Sequence, residues 1–555
     1  MFCYQCQEAF KGKGCSERGS CGKDALSSNI MDLLLYTTKG ICILTTAMRD
    51  NNIAVESEVN KYVIESLYTT CTACNFNREN LKMRVADGLK IKMDLYNQCS
   101  NAKISIPNSE EILWSNPIGD FSAKAATINM LDLEPNAEQR GMKEFVMDSL
   151  KGIACFMFHS MHLGFDDLGV HTFMQSVISD LTQKRISYDE WQDLILIIGQ
   201  YTMRAMALLD EANTETFGHP EFSSVNLSSK NRPAILVCGE DIKDLKELLV
   251  QSEDSGIDVY TYSGMLAAHA YPEIRKHHNL AGHFGGSWKM QREEFPAFHG
   301  PILFTSNCII PPTVELSYKD RMFTTNVAGY PGCKHIETPK KGAKDFSEII
   351  ALAKEFRSPA NIEHGSLNVG FAHDSLTEVT SQLLSAYGNG YIKRFVMIIG
   401  DDGRSSSREY YSDLAKLLPN NTTLFTAGDV KFRFNKHRFG YMNGIPRLFD
   451  AGQIGDTYSL MKFVLELKRM LKVNHINELP IDYFVSWNSQ RSMAVLCAIL
   501  SLGIKGVKLG PTMPAFVTDT MAYMLEKHFG IVPITNAKRD CESVRQSTSN
   551  SIPVY

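Results

Sequence analysis

Residues Arg232–Gln251 read RPAILVCGEDIKDLKELLVQ, and here the pattern of this 555-residue chain changes. The apolar run Ala234–Cys238 ends in a glycine and the acidic pair Glu240-Asp241, and an amphipathic segment, IKDLKELLVQ, follows at helical spacing. A short apolar strand feeding a longer helix is the unit of a parallel sheet with helices on both faces. The unit recurs downstream. IDVYTYSG leads into a helix through His269–His277, then come PILFTSNC and, after Pro331, the helix DFSEIIALAKEF. From Ser366 the order is LNVGFAH, a helix, FVMIIGDDG, a helix, TTLFTAGD, IPRLFDAGQ and the long helix TYSLMKFVLELKRMLK. YFVSWNSQ, the helix RSMAVLCAILSLG, GVKLGPTMP and a last helix over Ala515–His528 complete it. Two doubly wound, Rossmann-like domains are expected, with a boundary near Ile362–Leu367.

Upstream the grammar is helical. Apolar residues recur every three or four positions in MDLLLYTTKGICILTTAM, VNKYVIESLYTTCTACNF, MKEFVMDSLKGIACFMF and WQDLILIIGQYTMRAMALLDEAN, with a less periodic connector over Pro107–Asp132. A run of this length without strand signals predicts a stacked helical bundle. The expected fold is therefore α followed by α/β: a cysteine loop and bundle over 1–225, one parallel-sheet domain over 226–365 and a second over 366–555.

With 44% apolar and 21% charged residues the composition is that of a globular protein. A net charge of −5, without a Lys/Arg run, argues against a nucleic-acid partner. Apolar runs such as Leu194–Gly199 are too short to span a bilayer, so no membrane partner is expected. The chain opens on Met-Phe-Cys with no signal or transit peptide, and its fourteen cysteines then read as thiols and metal ligands in the cytosol.

The opening stretch Met1–Lys23, MFCYQCQEAFKGKGCSERGSCGK, sets Cys3, Cys6, Cys15 and Cys21 in a C-x2-C-x8-C-x5-C pattern among Gly12, Gly14, Gly19 and Gly22. Four thiolates brought together imply a structural zinc or a cubane iron–sulfur cluster; spacing alone favours zinc, the commoner outcome, over the cluster, and either over a disulfide framework. A second C-x2-C pair, Cys71 and Cys74, has no partner pair and reads as two small buried residues on one helix face.

Ligands of doubly wound sheets gather beyond the carboxyl ends of the strands. Here those ends offer Glu240, Gly264, Cys308, Asp401 with Asp402, Asp429, Ile454 and Ser489. None carries a G-x-G-x-x-G fingerprint, so no dinucleotide is expected.

The cysteine pattern, the helical segment and the two sheet segments together resemble the hybrid-cluster protein family (prismane proteins, hydroxylamine reductases). VYTYSGMLAAHAYPE, FTSNCIIPP, GYPGCKHI, GFAHDSL, VKFRFNK, GIPRLFDAGQ and LGPTMPAF are similar to its signatures, in order along essentially the whole chain. The resemblance implies a [4Fe–4S] cluster on Cys3, Cys6, Cys15 and Cys21. It also implies a second, hybrid [4Fe–2O–2S] centre for hydroxylamine or nitric oxide reduction, held by one histidine, two glutamates and four cysteines. Laid on this sequence, that histidine falls on Glu240 and the glutamates on Gly264 and Ser489. The cysteines fall on Cys308, Asp401, Asp429 and Ile454, and a nearby lysine on Arg491. Only Cys308 keeps its ligand. Cys238, inside its strand, and Cys333, on another loop, are not evident substitutes.

The hybrid centre is therefore expected to be absent and the reductase chemistry lost, leaving an electron-transfer, sensing or structural role; the alternative is an active reductase with unorthodox ligands or a partner subunit. Glu240, Asp401, Asp402 and Asp429 need counter-charge. Salt bridges to Arg404, Arg408, Arg433 or Arg491 are expected ahead of a hard cation such as Mg²⁺ or Mn²⁺, and Asp401 and Asp402 would also serve as helix caps. His269, His335 and His373 are expected to make structural hydrogen bonds, and Trp288 and Trp487 to pack. A redox partner protein and association with a complete paralogue are the partners the resemblance leaves open.

Overall fold

The computed structural model describes residues 1–313, 315 and 318–547. Its first layer is built from the helices Ala25–Asp50, Ser57–Thr69, Arg78–Asn101, Ala137–His162, Leu168–Gln183 and Tyr188–Phe217. Each begins where the sequence supplies an acceptor for orphan amide groups or an acidic first turn. Asp24 accepts from the Ser27 amide, and Ser187 with Glu190 closes a full capping box. The helix Ala25–Asp50 corrects the sequence reading of apolar segments: by length and composition it is apolar enough to cross a bilayer, yet it is mostly buried within the chain. Leu33, Leu34, Ile41 and Leu44 are inaccessible to solvent or nearly so, as in the central helix of a bundle.

Two six-stranded, all-parallel sheets follow. The first runs in the order Leu280–His283, Asp258–Tyr262, Ala234–Cys238, Ile302–Phe304, Met322–Thr325, Lys334–Ile336. The second runs Leu448–Asp450, Thr422–Ala427, Arg394–Gly400, Ile481–Ser486, Lys508–Gly510, Val532–Pro533. The central strands are apolar without alternation because helices cover both faces. Outside these sheets, Ser223–Asn226 pairs antiparallel with Ser366–Val369, tying the start of the first sheet region to the start of the second. Register places Cys238 beside both Tyr262 and Phe304, and Gly400 beside Ser486, so the strand ends come out level.

The helix Gln490–Ser501 joins the second sheet to the bundle, and two glycines decide how closely. A Cβ at Gly199 would lie 2.1 Å from the Cys497 carbonyl oxygen, and one at Gly152 would lie 2.5 Å from that of Gln490. No other residue lets these backbones approach so closely, and the contact fixes the position of Arg491 at the start of the helix.

Three local readings are corrected. The segment through His269–His277 is a 3-10 stretch, Ser263–Ala270, and one short turn of helix, Pro272–Arg275. The helix expected to be last spans Asp519–Phe529 and is followed by the edge strand Val532–Pro533 and a further helix, Ala537–Ser547. That helix carries few apolar residues, and its buried edge includes Cys541 and Val544. Cys71 and Cys74 do not lie on a helix: the helix stops at Thr69, and the pair sits in the turn beyond it, around Ala73 at φ 58°. Both are fully buried, as expected.

Candidate metal centre and the interior site

The amino-terminal loop is pinned first by its own backbone. The Cys3 amide donates to the Cys15 carbonyl at 3.0 Å, and the reverse bond is 2.8 Å, closing the loop on its first and third cysteines. Cys3, Cys6 and Cys21 then line a cavity of about 50 Å³ with Lys23 and Lys151. The Ser20 amide donates to Cys15 Sγ at 3.4 Å, a contact of the kind that tunes iron–sulfur potentials. Burial pushes the Cys3 thiol up to about 12 and Cys6 well above its ordinary value, so loading any metal here must release protons.

The donor set fits an iron–sulfur cluster: four soft thiolate donors on one short loop, three of which, Cys3, Cys6 and Cys21, share a cavity.

The same loop docks against the strand ends of the second sheet. The Gln7 amide donates to the Asn488 carbonyl at 3.1 Å, and Gln490 Nε2 to the Gln5 carbonyl at 2.9 Å. Arg404 bonds Glu8 at 2.5 Å and the Ser20 carbonyl at 2.7 Å. Arg404 therefore serves the cysteine loop rather than the interior acids, contrary to one of the pairings expected. Arg408 is not a partner of those carboxylates either: buried, it bonds the carbonyls of Asp401 and Trp487 and the Ser486 hydroxyl.

The remaining strand ends meet in one buried interior site. Arg491, almost buried, pairs with Glu240 from the first sheet and with Asp401 from the second, the latter at 3.0 Å. Asp401 also accepts from Ser489 at 2.6 Å and Ser492 at 2.9 Å. It is thus a bonded anion and not a helix cap. Burial lifts its carboxyl above the ordinary value and the two hydroxyls pull it back. Asp402 pairs with Arg433 at 2.7 Å and accepts from Ser287 at 2.9 Å. Asp429 accepts from Ser263 at 2.8 Å. Gly264 lies between them: a Cβ there would touch Glu240 at 3.0 Å and Asp429 at 3.4 Å. Gln453 reaches the carbonyls of Glu240 and Gly264, and Ile454 is buried against Gly428. The salt bridges expected at Arg433 and Arg491 are present.

Cys308 does not face this network alone. Its Sγ lies 3.0 Å from that of Cys238, both thiols are buried, and Gln291 Nε2 bonds the Cys308 carbonyl at 2.5 Å. Cys238, an interior strand residue by sequence, is the direct partner of Cys308. Likewise Cys71 Sγ lies 3.8 Å from Cys155 Sγ, a pairing the spacing of Cys71 and Cys74 does not reveal.

Histidine roles divide. His269 and His283 share the Thr261 hydroxyl at 2.8 and 2.9 Å, and burial brings His269 down to about 4. His335 meets Thr324 at 2.9 Å. His373 instead joins His219, Asp374 and Asp210 at the surface. Trp487 is fully buried with Nε1 donating to Thr512, and Trp288 is partly buried. A second buried cluster that sequence reading missed lies behind Glu240. His162 Nδ1 is 2.7 Å from Asp241, and Lys344 Nζ is 2.6 Å from Asp244 and 3.1 Å from His162. Burial opposes ionisation of Asp241, yet His162 and His159 hold its carboxyl well below the usual range.

Asp429 gives a pH test of this site. Burial, opposed by the Ser263 bond, pushes its carboxyl up to about 7 from 3.8. Between those values the folded chain keeps a proton the unfolded chain has released, so stability falls as pH rises through the window. Each pH unit is worth about 1.4 kcal/mol, or up to about 4 kcal/mol in all. Asp429→Asn removes this penalty and keeps an acceptor for Ser263. Its urea midpoint relative to wild type is expected to climb from pH 5 to pH 8; a difference constant with pH contradicts the assignment.

The chain matches the family described as Prismane/CO dehydrogenase over residues 1–542. It is 42% identical to a hydroxylamine reductase of Porphyromonas gingivalis over 545 residues, covering 98% of this chain and 99% of that one. It is 43% identical to a hydroxylamine reductase of Clostridium novyi over 544 residues, covering 97% and 98%. Among solved structures, carbon monoxide dehydrogenase IV of Carboxydothermus hydrogenoformans superposes with a TM-score of 0.57 at 14% identity, over 99% of this chain and 92% of that one. Carbon monoxide dehydrogenase of Thermococcus sp. AM4 gives 0.53 at 17%, over 97% and 88%. These likenesses show the shared fold. Collinear motifs, paired parallel sheets with level strand ends and near-complete coverage by relatives at this identity converge: the chain belongs to the Prismane/CO dehydrogenase family.

Proposed function

We propose that this chain is an iron–sulfur protein that holds one [4Fe–4S] cluster on Cys3, Cys6, Cys15 and Cys21. On this reading it lacks the hybrid centre and its reductase chemistry, and serves electron transfer, sensing or structure. The observation that carries the reading is that the strand-end acids are already paired. Glu240 and Asp401 are held by Arg491, Asp401 also by Ser489 and Ser492, and Asp402 by Arg433. Gly264 and Ile454 offer no donor, and the Cys308 thiol is engaged with Cys238. A cluster on the amino-terminal thiols would supply one-electron transfer. The residues around it hold the loop against Asn488 and Gln490 and supply an amide to Cys15.

The second reading, an active hydroxylamine or nitric oxide reductase using unusual ligands or a partner subunit, is favoured by the names of the 42–43% identical relatives. Turnover separates the two. With iron-loaded protein and a reduced low-potential dye, hydroxylamine-dependent dye oxidation is expected to stay at the level of a Cys6→Ser variant. Ammonia formation well above that background contradicts the proposal.

A further inference from the structure

We propose that His219, His373 and Asp374 form a surface site for a divalent cation of the zinc class, with Asp210 orienting His373. The residues come from two separate elements. His219 lies just beyond the carboxyl end of the helix Tyr188–Phe217, whereas His373 and Asp374 open the helix His373–Gly388. The two Nδ1 atoms face each other at 2.9 Å. The Asp374 carboxylate presents one oxygen to each ring, 3.3 Å from His219 Nδ1 and 3.1 Å from His373 Nδ1. Donors bound to one tetrahedral zinc at about 2.0–2.1 Å would stand about 3.3–3.4 Å apart. With one donor atom from each residue the three lie within 4.8 Å of one another, the two nitrogens closer than the zinc spacing, so a slight spreading of the rings outlines one face of such a site; its fourth position opens to solvent, since His219 and Asp374 are more than half exposed.

Asp210 is the second, independent observation. It projects from the helix Tyr188–Phe217, is nearly buried, and lies 3.2 Å from the far nitrogen, Nε2, of His373. A carboxylate there holds the proton on Nε2 and turns the Nδ1 lone pair towards His219, the outer arrangement that metal-bound imidazoles commonly have. His373 also sits at φ 49°, a left-handed conformation unusual outside glycine, which aims its ring at this cluster. The amino-terminal end of a helix disfavours a cation, and the carboxylates of Asp374 and Asp210 offset that field.

The other histidine–carboxylate cluster provides a contrast. His162, Asp241 and Asp244 are equally close together, but Lys344 bonds both Asp244 and His162 and supplies their positive charge. Among the described residues, the salt-bridge partners of Asp374 are the two histidines, with no lysine or arginine. Two nitrogens and a carboxylate select zinc, nickel or copper over magnesium.

The test uses the full chain, purified anaerobically with its iron. Titration with Zn²⁺ against a chromophoric chelator is expected to find about one more equivalent in wild type than in His219→Ala. His219 is exposed, so its loss leaves the fold intact, which circular dichroism verifies. Asp210→Asn is expected to weaken that equivalent by about 10- to 100-fold. Mg²⁺ is expected not to compete. Co²⁺ in the same site should give a visible spectrum without thiolate charge-transfer bands, which separates it from binding at the cysteines. Equal stoichiometry and affinity in wild type and His219→Ala, or a difference accompanied by thiolate bands, would overturn the site. Unchanged affinity in Asp210→Asn would overturn the role given to Asp210.

Discussion

Replacing Arg491 with methionine is expected to destabilise the chain by about 3–5 kcal/mol, the range for removing one partner of a buried ion pair. The reason is local. Arg491 is the side chain that pairs with both Glu240 and Asp401, and each carboxylate is close to nine-tenths buried or more. Without it, Asp401 keeps the Ser489 and Ser492 hydroxyls, and Glu240 has no other salt-bridge partner among the described residues. The loss is therefore that of isolated buried charge rather than of packing. A triple variant, Arg491→Met with Glu240→Gln and Asp401→Asn, is expected to recover most of it, because neutral groups of the same shape tolerate burial. Urea midpoints of the three proteins check this. A single variant within about 0.5 kcal/mol of wild type, the range of an ordinary surface change, would mean that the network does not hold the strand ends of the two sheets together.

Loss of a single amino-terminal ligand is expected to have the largest effect on composition. Cys6→Ser should take iron from about four atoms per chain to near zero, since a cubane held by the remaining three thiols is labile. Cys308→Ser is expected to leave iron unchanged. The asymmetry follows from geometry: Cys3, Cys6 and Cys21 line one cavity, whereas Cys308 meets Cys238 at 3.0 Å and lies among groups that already have partners. Iron and acid-labile sulfide measured together on anaerobic protein decide it. If Cys308→Ser lowered iron by half, Cys308 would have to be a ligand of a second assembly.

The parts of this molecule that could be read in advance depend on local pattern. Apolar runs such as Ala234–Cys238 and Arg394–Gly400, each followed by an amphipathic helix, announce parallel strands, and their ends mark where Glu240 and Asp401 emerge. Charge balance among those acids points to Arg404, Arg408, Arg433 and Arg491, of which the last two pair with them and the first two do not. What could not be read depends on which strands and helices are neighbours. Cys238 and Cys308 meet because their strands are adjacent in the sheet, and His219 meets His373 across 154 residues. Arg404 does not meet the interior carboxylates because the cysteine loop, with Glu8, folds back onto it, and nothing local in the sequence shows that fold. The helix Ala537–Ser547 gives little signal in the sequence because a helix buried along one edge needs few apolar residues.

On the proposed function, iron is held at the amino terminus and nowhere else. The direct measurement is iron per chain in wild-type protein purified without oxygen, paired with low-temperature electron paramagnetic resonance. About four irons and the signal of a single reduced cubane are predicted. About eight irons, with a second signal from an interior assembly that disappears in Cys308→Ser, would contradict it.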